Sequence, residues 1–161
     1  MSDQFTNAKS IVLAVFPAGE DTAVLRGILA NSGWKLHVTA TVAEACLLLD
    51  PSIAAIICEG SFPDGRGWKD LLAVLHEMRN PPPLIVAERL ADERLWAEVL
   101  NLGAHDLLAK PFDTKEVLYA VSAACRSREN REQALAARKL SKPEERCVPP
   151  PEKHWACGAS G

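Results

Sequence analysis

The sequence predicts an α/β domain built on a five-stranded parallel sheet, in the order 2-1-3-4-5, with five helices covering both faces. Three observations lead there. Five short apolar runs rich in branched residues alternate with five segments of helical period. The runs are apolar almost throughout, as strands buried on both faces are. Cap and breaker residues fall at the joins between runs and stripes.

The first strand is read over residues 11–15, followed by a helix whose stripe is Val24, Leu25, Ile28 and Leu29 and which Gly33 terminates. The second strand covers 36–40. Thr41 with Glu44 then forms a cap-plus-acid pair that opens a helix carrying Val42, Ala45, Cys46 and Leu49. The third strand covers 54–58, and its helix carries Trp68, Leu71, Leu72, Leu75 and Met78 before Pro81–Pro83 break the chain. The fourth strand, 84–87, leads to the stripe Leu95, Trp96, Val99 and Leu100, which ends at Gly103. The fifth strand, 106–109, leads through the pair Asp113 and Glu116 to Val117, Leu118, Val121 and Cys125. In such a sheet the chemistry collects in the loops at the carboxyl ends of the strands.

The chain has 161 residues, 48% hydrophobic and 24% charged, enough for one domain with its own core. No apolar run reaches the roughly 18 residues of a membrane span, and residues 1–10 are polar, so a cytoplasmic protein with no membrane contact is expected. The net charge of −3 divides into −6 over residues 1–125 and +3 over 126–161, too mild to point to nucleic acid. Cys46, Cys58, Cys125, Cys147 and Cys157 lack paired spacing, and Cys147, His154 and Cys157 lack a fourth ligand, so neither a disulfide framework nor a metal site is expected. Residues 1–8 are expected to be disordered, 9–125 to form the domain, 126–140 a solvated helical extension, and 141–161 a disordered tail containing Pro143 and Pro149–Pro151.

Two loops carry a resemblance. Residues 57–67, Ile-Cys-Glu-Gly-Ser-Phe-Pro-Asp-Gly-Arg-Gly, resemble the third-strand loop of receiver domains, in which a phosphoacceptor Asp is followed four residues later by Pro and then by Asp-x-x-Gly. Residues 103–112, Gly-Ala-His-Asp-Leu-Leu-Ala-Lys-Pro-Phe, are similar to the family's Gly-Ala-x-Asp-Tyr-x-x-Lys-Pro-Phe run. The likeness covers about residues 9–125, and it implies the CheY-like, flavodoxin-like fold of two-component response regulators.

By that resemblance Glu59 stands at the phosphoacceptor position and Lys110 at the lysine that pairs with the phosphoryl group. The two adjacent acids that hold Mg²⁺ after the first strand of a receiver fall on Phe16 and Pro17, neither of which binds a hard cation. Glu20 and Asp21 are better read as partners of a helix dipole than as metal ligands. Glu88 replaces the Thr or Ser that bonds a phosphoryl oxygen, and Leu107 replaces the aromatic switch residue. Cation acids, acceptor Asp and hydroxyl are thus all substituted in one reaction centre.

The expected function is that of an atypical receiver, or pseudo-receiver. It is not an enzyme, needs no cofactor, is not phosphorylated, and acts by binding a protein. The partner is a histidine kinase or a downstream signalling protein, met through the face of the fourth helix, fifth strand and fifth helix, and homodimerisation is compatible with the same reading. A Glu59–Lys110 ion pair would either imitate the activated state or simply keep the lysine paired. Two alternatives stand beside it. One is a phosphorylatable, stand-alone response regulator of a phosphorelay with Asp64 as acceptor, although Pro63-Asp64-Gly65 reads as a turn. The other is a flavodoxin-like cofactor binder, against which Glu20 and Asp21 would repel a phosphate. His37, His76 and His105 lack acidic partners at ligand spacing. Trp34, Trp68 and Trp96 read as packing residues, and Trp155 as a tail residue able to anchor a partner.

Overall fold

The computed structural model describes residues 11–60 and 62–146, with side chains as far as residue 138. The elements run β1 (Ile11–Val15), α1 (Glu20–Ala30), β2 (Lys35–Thr39), α2 (Val42–Leu48), β3 (Ile53–Glu59), α3 (Trp68–Leu75), β4 (Leu84–Glu88), α4 (Glu93–Leu102), β5 (Asp106–Ala109) and α5 (Thr114–Arg146). All strands are parallel, in the order β2-β1-β3-β4-β5 expected from the sequence.

Alternation along each strand divides the core into two layers. Leu13, Val15, Ile56, Cys58, Leu84 and Val86 pack against α2, α3 and Val99 of α4. Val12, Ala14, Phe16, Ala55, Ile57, Ile85 and Leu108 pack against Leu25 and Leu29 of α1 and Val117, Ala120, Val121 and Ala124 of α5. The helix starts are held as the sequence patterns require. Thr41 Oγ1 accepts from the Glu44 N–H at 3.1 Å, and Asp113 Oδ2 from the Glu116 N–H at 3.1 Å. Asp92 Oδ1 caps α4 by accepting from the Leu95 N–H at 2.9 Å. Gly103 ends α4 at φ 110°, the left-handed conformation that favours glycine.

Several expectations change here. Trp96, assigned to packing, is 50% exposed, whereas Trp68 is buried. Its stripe turns partly toward solvent because α4 buries only Val99 fully. The packed unit also extends past the boundary drawn at Cys125, to Glu129. Arg128, read as part of a solvated extension, is buried, with its guanidinium donating to the carbonyls of Pro51, Ile53 and Asn80. These carbonyls lie where β3 begins and where α3 gives way to β4, and a planar fork of donors can satisfy several of them at once. A second unit begins at Asn130, and its described part, residues 130–146, is helical. Helix therefore extends beyond residue 140, where the sequence reading ended it. Cys147, His154, Trp155 and Cys157 lie outside the described residues, as do residues 1–10. No helix among the described residues is long and apolar enough to cross a membrane.

Candidate functional site

The carboxyl ends of β1, β3 and β5 converge on one ammonium group. β3 ends on Glu59, and Lys110 follows β5, preceding a cis peptide to Pro111. Lys110 Nζ donates to Glu59 Oε1 at 2.6 Å and Oε2 at 2.9 Å, and to Asp21 Oδ2 at 3.0 Å. The Lys110 side chain is only 5% exposed, against 19% for Glu59 and 30% for Asp21. An ammonium has three protons to place, and the two carboxylates supply three acceptor contacts.

Asp21 is the site residue that sequence reasoning missed. It does sit in the first turn of α1, where an acid favours the helix dipole, but its carboxylate also reaches Lys110. The resemblance places the acid pocket on Phe16 and Pro17. What it could not show is how far the 16–19 loop and the first helical turn bring Asp21 toward β5. The only sequence signal was an acid at the start of the helix nearest the site.

Phe16 takes an apolar part in the same place. It is 1% exposed, meets Phe112 edge-on at 6.1 Å between ring centroids, and presents its ring to Lys110 Nζ at 5.8 Å. That distance is within cation–π range. Pro17 is half-buried beside it. Receivers hold Mg²⁺ with acids here, and the residues present do not fit that ion. Phe16 and Pro17 offer no side-chain oxygen, and the carboxylates of Asp21 and Glu59 both face an ammonium. Among the described residues, no group of three His, Cys, Asp or Glu side chains is arranged to hold a metal.

Burial pulls the Lys110 pKa down, but the hydrogen bonds to Glu59 and Asp21, together with their charges, outweigh it and leave the value above the usual 10.5. The lysine is therefore charged at any physiological pH.

The described hydrogen bonds of the Lys110 ammonium do not include Glu88. Its carboxylate lies over the Cα of Gly60, in the space a Cβ there would fill, and lines a cleft of about 350 Å³ with Arg66, Lys69 and Glu98. Its backbone carbonyl accepts from the Lys110 N–H at 3.2 Å. The Gly60 N–H bonds the Ala87 carbonyl at 2.9 Å, which draws the β3 and β4 ends together so that glycine leaves room for the Glu88 carboxylate. Asp64 is exposed, and its Oδ1 accepts from the Arg66 N–H at 3.0 Å, so this carboxylate is used within its own turn, with Gly65 at φ 89°. Leu107 is half-buried and lines a groove between α4 and α5.

Comparison with known proteins agrees with this architecture. No protein-family model matches the chain. A transcriptional regulatory protein, y4xI, of Sinorhizobium fredii is 31% identical over 106 residues, covering 65% of this chain and 46% of that protein. The transcriptional regulatory protein CpxR of Escherichia coli is 29% identical over 115 residues, covering 71% of this chain and 49% of its own length. The chain thus spans about half the length of the curated relatives it matches. Among solved structures, the Vibrio cholerae chemotaxis protein CheY4 superposes with a TM-score of 0.63 at 20% identity, covering 71% of this chain and 98% of that one. The five-stranded order, the two spaced loops with Glu59 and Lys110 at their ends, and these likenesses lead to one conclusion. The chain has the CheY-like fold, and it resembles transcriptional regulatory proteins in sequence and receiver domains of response regulators in structure.

Proposed function

We propose that this receiver is a pseudo-receiver: it is not phosphorylated, it rests in one fixed state, and it works in the cytoplasm by binding a signalling protein. The observation that carries this reading is the closure of Lys110 by Glu59 and Asp21, at 2.6 Å and 3.0 Å. In a phosphorylatable receiver the lysine must be available to the incoming phosphoryl group, and a bound cation must neutralise charge during transfer. Here two carboxylates already neutralise the lysine. A third anionic group would meet net negative charge at a poorly solvated site. Glu59, one methylene longer than Asp, holds the lysine directly, so the β3 and β5 ends are tied without any transferred group.

The test is incubation of the whole chain with acetyl phosphate and Mg²⁺, followed by intact-mass and peptide-mass measurement. The expected outcome is an unchanged mass. A phosphoryl adduct on the domain, at Asp64 or any other acid, would overturn the reading in favour of a phosphorylatable regulator. Glu59→Asp alone is also expected to remain unmodified, because Phe16 and Pro17 still supply no cation ligand and Asp21 still holds Lys110.

A further inference from the structure

The cleft beside Gly60 holds two opposite charges that do not meet. It encloses about 350 Å³, with the loop after β3 and the start of α3 on one side and Glu88 and α4 on the other. Small-molecule sites enclose roughly 300 to 1,000 Å³, so one small ligand would fill it. Most of its charged side chains are already engaged. Lys69 Nζ pairs with Glu98 Oε2 at 2.5 Å, joining α3 to α4, and stands 5.7 Å from the centre of the Trp68 ring. Asp70 Oδ2 accepts from the Gly67 N–H at 2.9 Å and so holds the first turn of α3. Two groups remain. The half-buried Glu88 carboxylate over Gly60 and the guanidinium of exposed Arg66 both line the cleft, yet neither has an ion pair or a side-chain hydrogen bond among the described residues. A carboxylate and a guanidinium on the walls of one cleft pair when they can reach each other. Here the space between them is too wide for direct contact, and it suits a molecule that carries both charges.

We propose that this cleft binds a free α-amino acid with an apolar side chain, its ammonium on Glu88, its carboxylate on Arg66 and its side chain against Trp68 and Leu95. The two free charges select the occupant. A ligand with only a cation would be repelled by Arg66, and one with only an anion by Glu88, whereas a zwitterion is complementary at both ends. A guanidinium offers a carboxylate two parallel donors, and a primary ammonium has three donors to place. Gly60, Gly65 and Gly67 line the same space without side chains, so a short molecule can lie against the backbone there. Trp68 and Leu95 supply the apolar part of the wall. A divalent cation is a poorer occupant, because Asp70 and Glu98 are already engaged and Arg66 and Lys69 would repel it. The cleft is separate from the Lys110 cluster, since Lys110, Glu59 and Asp21 do not line it. The assignment therefore stands apart from the question of phosphorylation and adds a small-molecule site to the domain.

The experiment titrates the isotope-labelled whole chain by NMR with three probes that share one side chain. These are L-leucine, leucinamide, which lacks the carboxylate, and N-acetyl-leucine, which lacks the ammonium. Leucine at millimolar concentration is expected to shift the amides of Gly60, Gly65 and Gly67 and the Trp68 indole N–H. Each singly charged analogue is expected to bind about five-fold more weakly, the loss of one partly exposed charge contact. Glu88→Gln should abolish the advantage of leucine over N-acetyl-leucine and keep its advantage over leucinamide, and Arg66→Gln should do the reverse. The analogue comparison on the native chain needs no variant, so it decides the matter even if a substitution disturbs folding. Absence of shifts with leucine, shifts mapping elsewhere, or analogues that bind as tightly as leucine would each overturn the proposal. So would a Glu88→Gln chain that still favours leucine over N-acetyl-leucine, because the ammonium would then have another seat. The acetyl phosphate assay is a separate readout, so a mass gain there overturns the fixed-state reading while the leucine titration alone decides the cleft.

Discussion

Burial of the Lys110 ammonium works against its charge, and the carboxylates of Glu59 and Asp21 reverse the balance. Replacing the lysine leaves two carboxylates facing one another in a poorly solvated site. Lys110→Ala is therefore expected to lower unfolding free energy by about 2 kcal/mol in urea denaturation, less than for a fully buried pair because Asp21 is partly exposed. Glu59→Gln, which keeps the shape and leaves Asp21 as a counter-charge, is expected to lose about half as much. The folded-state pKa of Lys110 lies above its unfolded value, so its contribution is fully present below pH 10.5 and fades only as pH rises through the higher folded value. The stability gap between the native chain and Lys110→Ala should thus stay constant through neutral pH and narrow only in the alkaline range beyond 10.5. A gap that closed near neutrality would contradict the pairing.

α4 stops at Gly103, whose φ of 110° is strained for any residue with a side chain, and a Cβ there would come within 2.9 Å of His76 Nε2. Gly103→Ala is expected to destabilise by about 1 kcal/mol, measured as a lower urea midpoint with an unchanged slope. α5 is fastened by Arg128, a buried cation bonded to carbonyls from two separate connections. Arg128→Met keeps much of the volume but removes those donors. The expected loss is about 2 to 3 kcal/mol, since charged hydrogen-bond donors to buried carbonyls are hard to replace.

For the whole molecule, the fastening at Arg128 fixes where the packed unit ends. A chain stopped after Glu129 is expected to unfold as cooperatively as the full chain and at nearly the same temperature. One stopped after Cys125 should melt lower by about 10 °C or more, the shift expected for a loss of about 2 to 3 kcal/mol in a domain of this size. Calorimetry on the two truncations distinguishes them. If both melted alike, Arg128 would have no part in holding the domain.

The order of elements, their caps and the two site loops were legible in the sequence because they depend on local rules. A strand buried on both faces must be apolar, a helix start needs an acceptor at its cap, and the loops bearing Glu59 and Lys110 keep a recognisable spacing. The partners of Glu88, Asp21, Trp96 and Arg128 were not legible. Each depends on how neighbouring elements cross: whether a carboxylate at the end of β4 turns to Gly60 or to Lys110, whether the 16–19 loop brings α1 close to β5, which side of α4 is left open, and which carbonyls face α5. The sequence by itself determined a five-unit parallel sheet and the two loops that carry Glu59 and Lys110. Only the tertiary structure decided that two acids, one from β3 and one from α1, hold Lys110, because distances between residues remote in sequence follow from packing and not from periodicity.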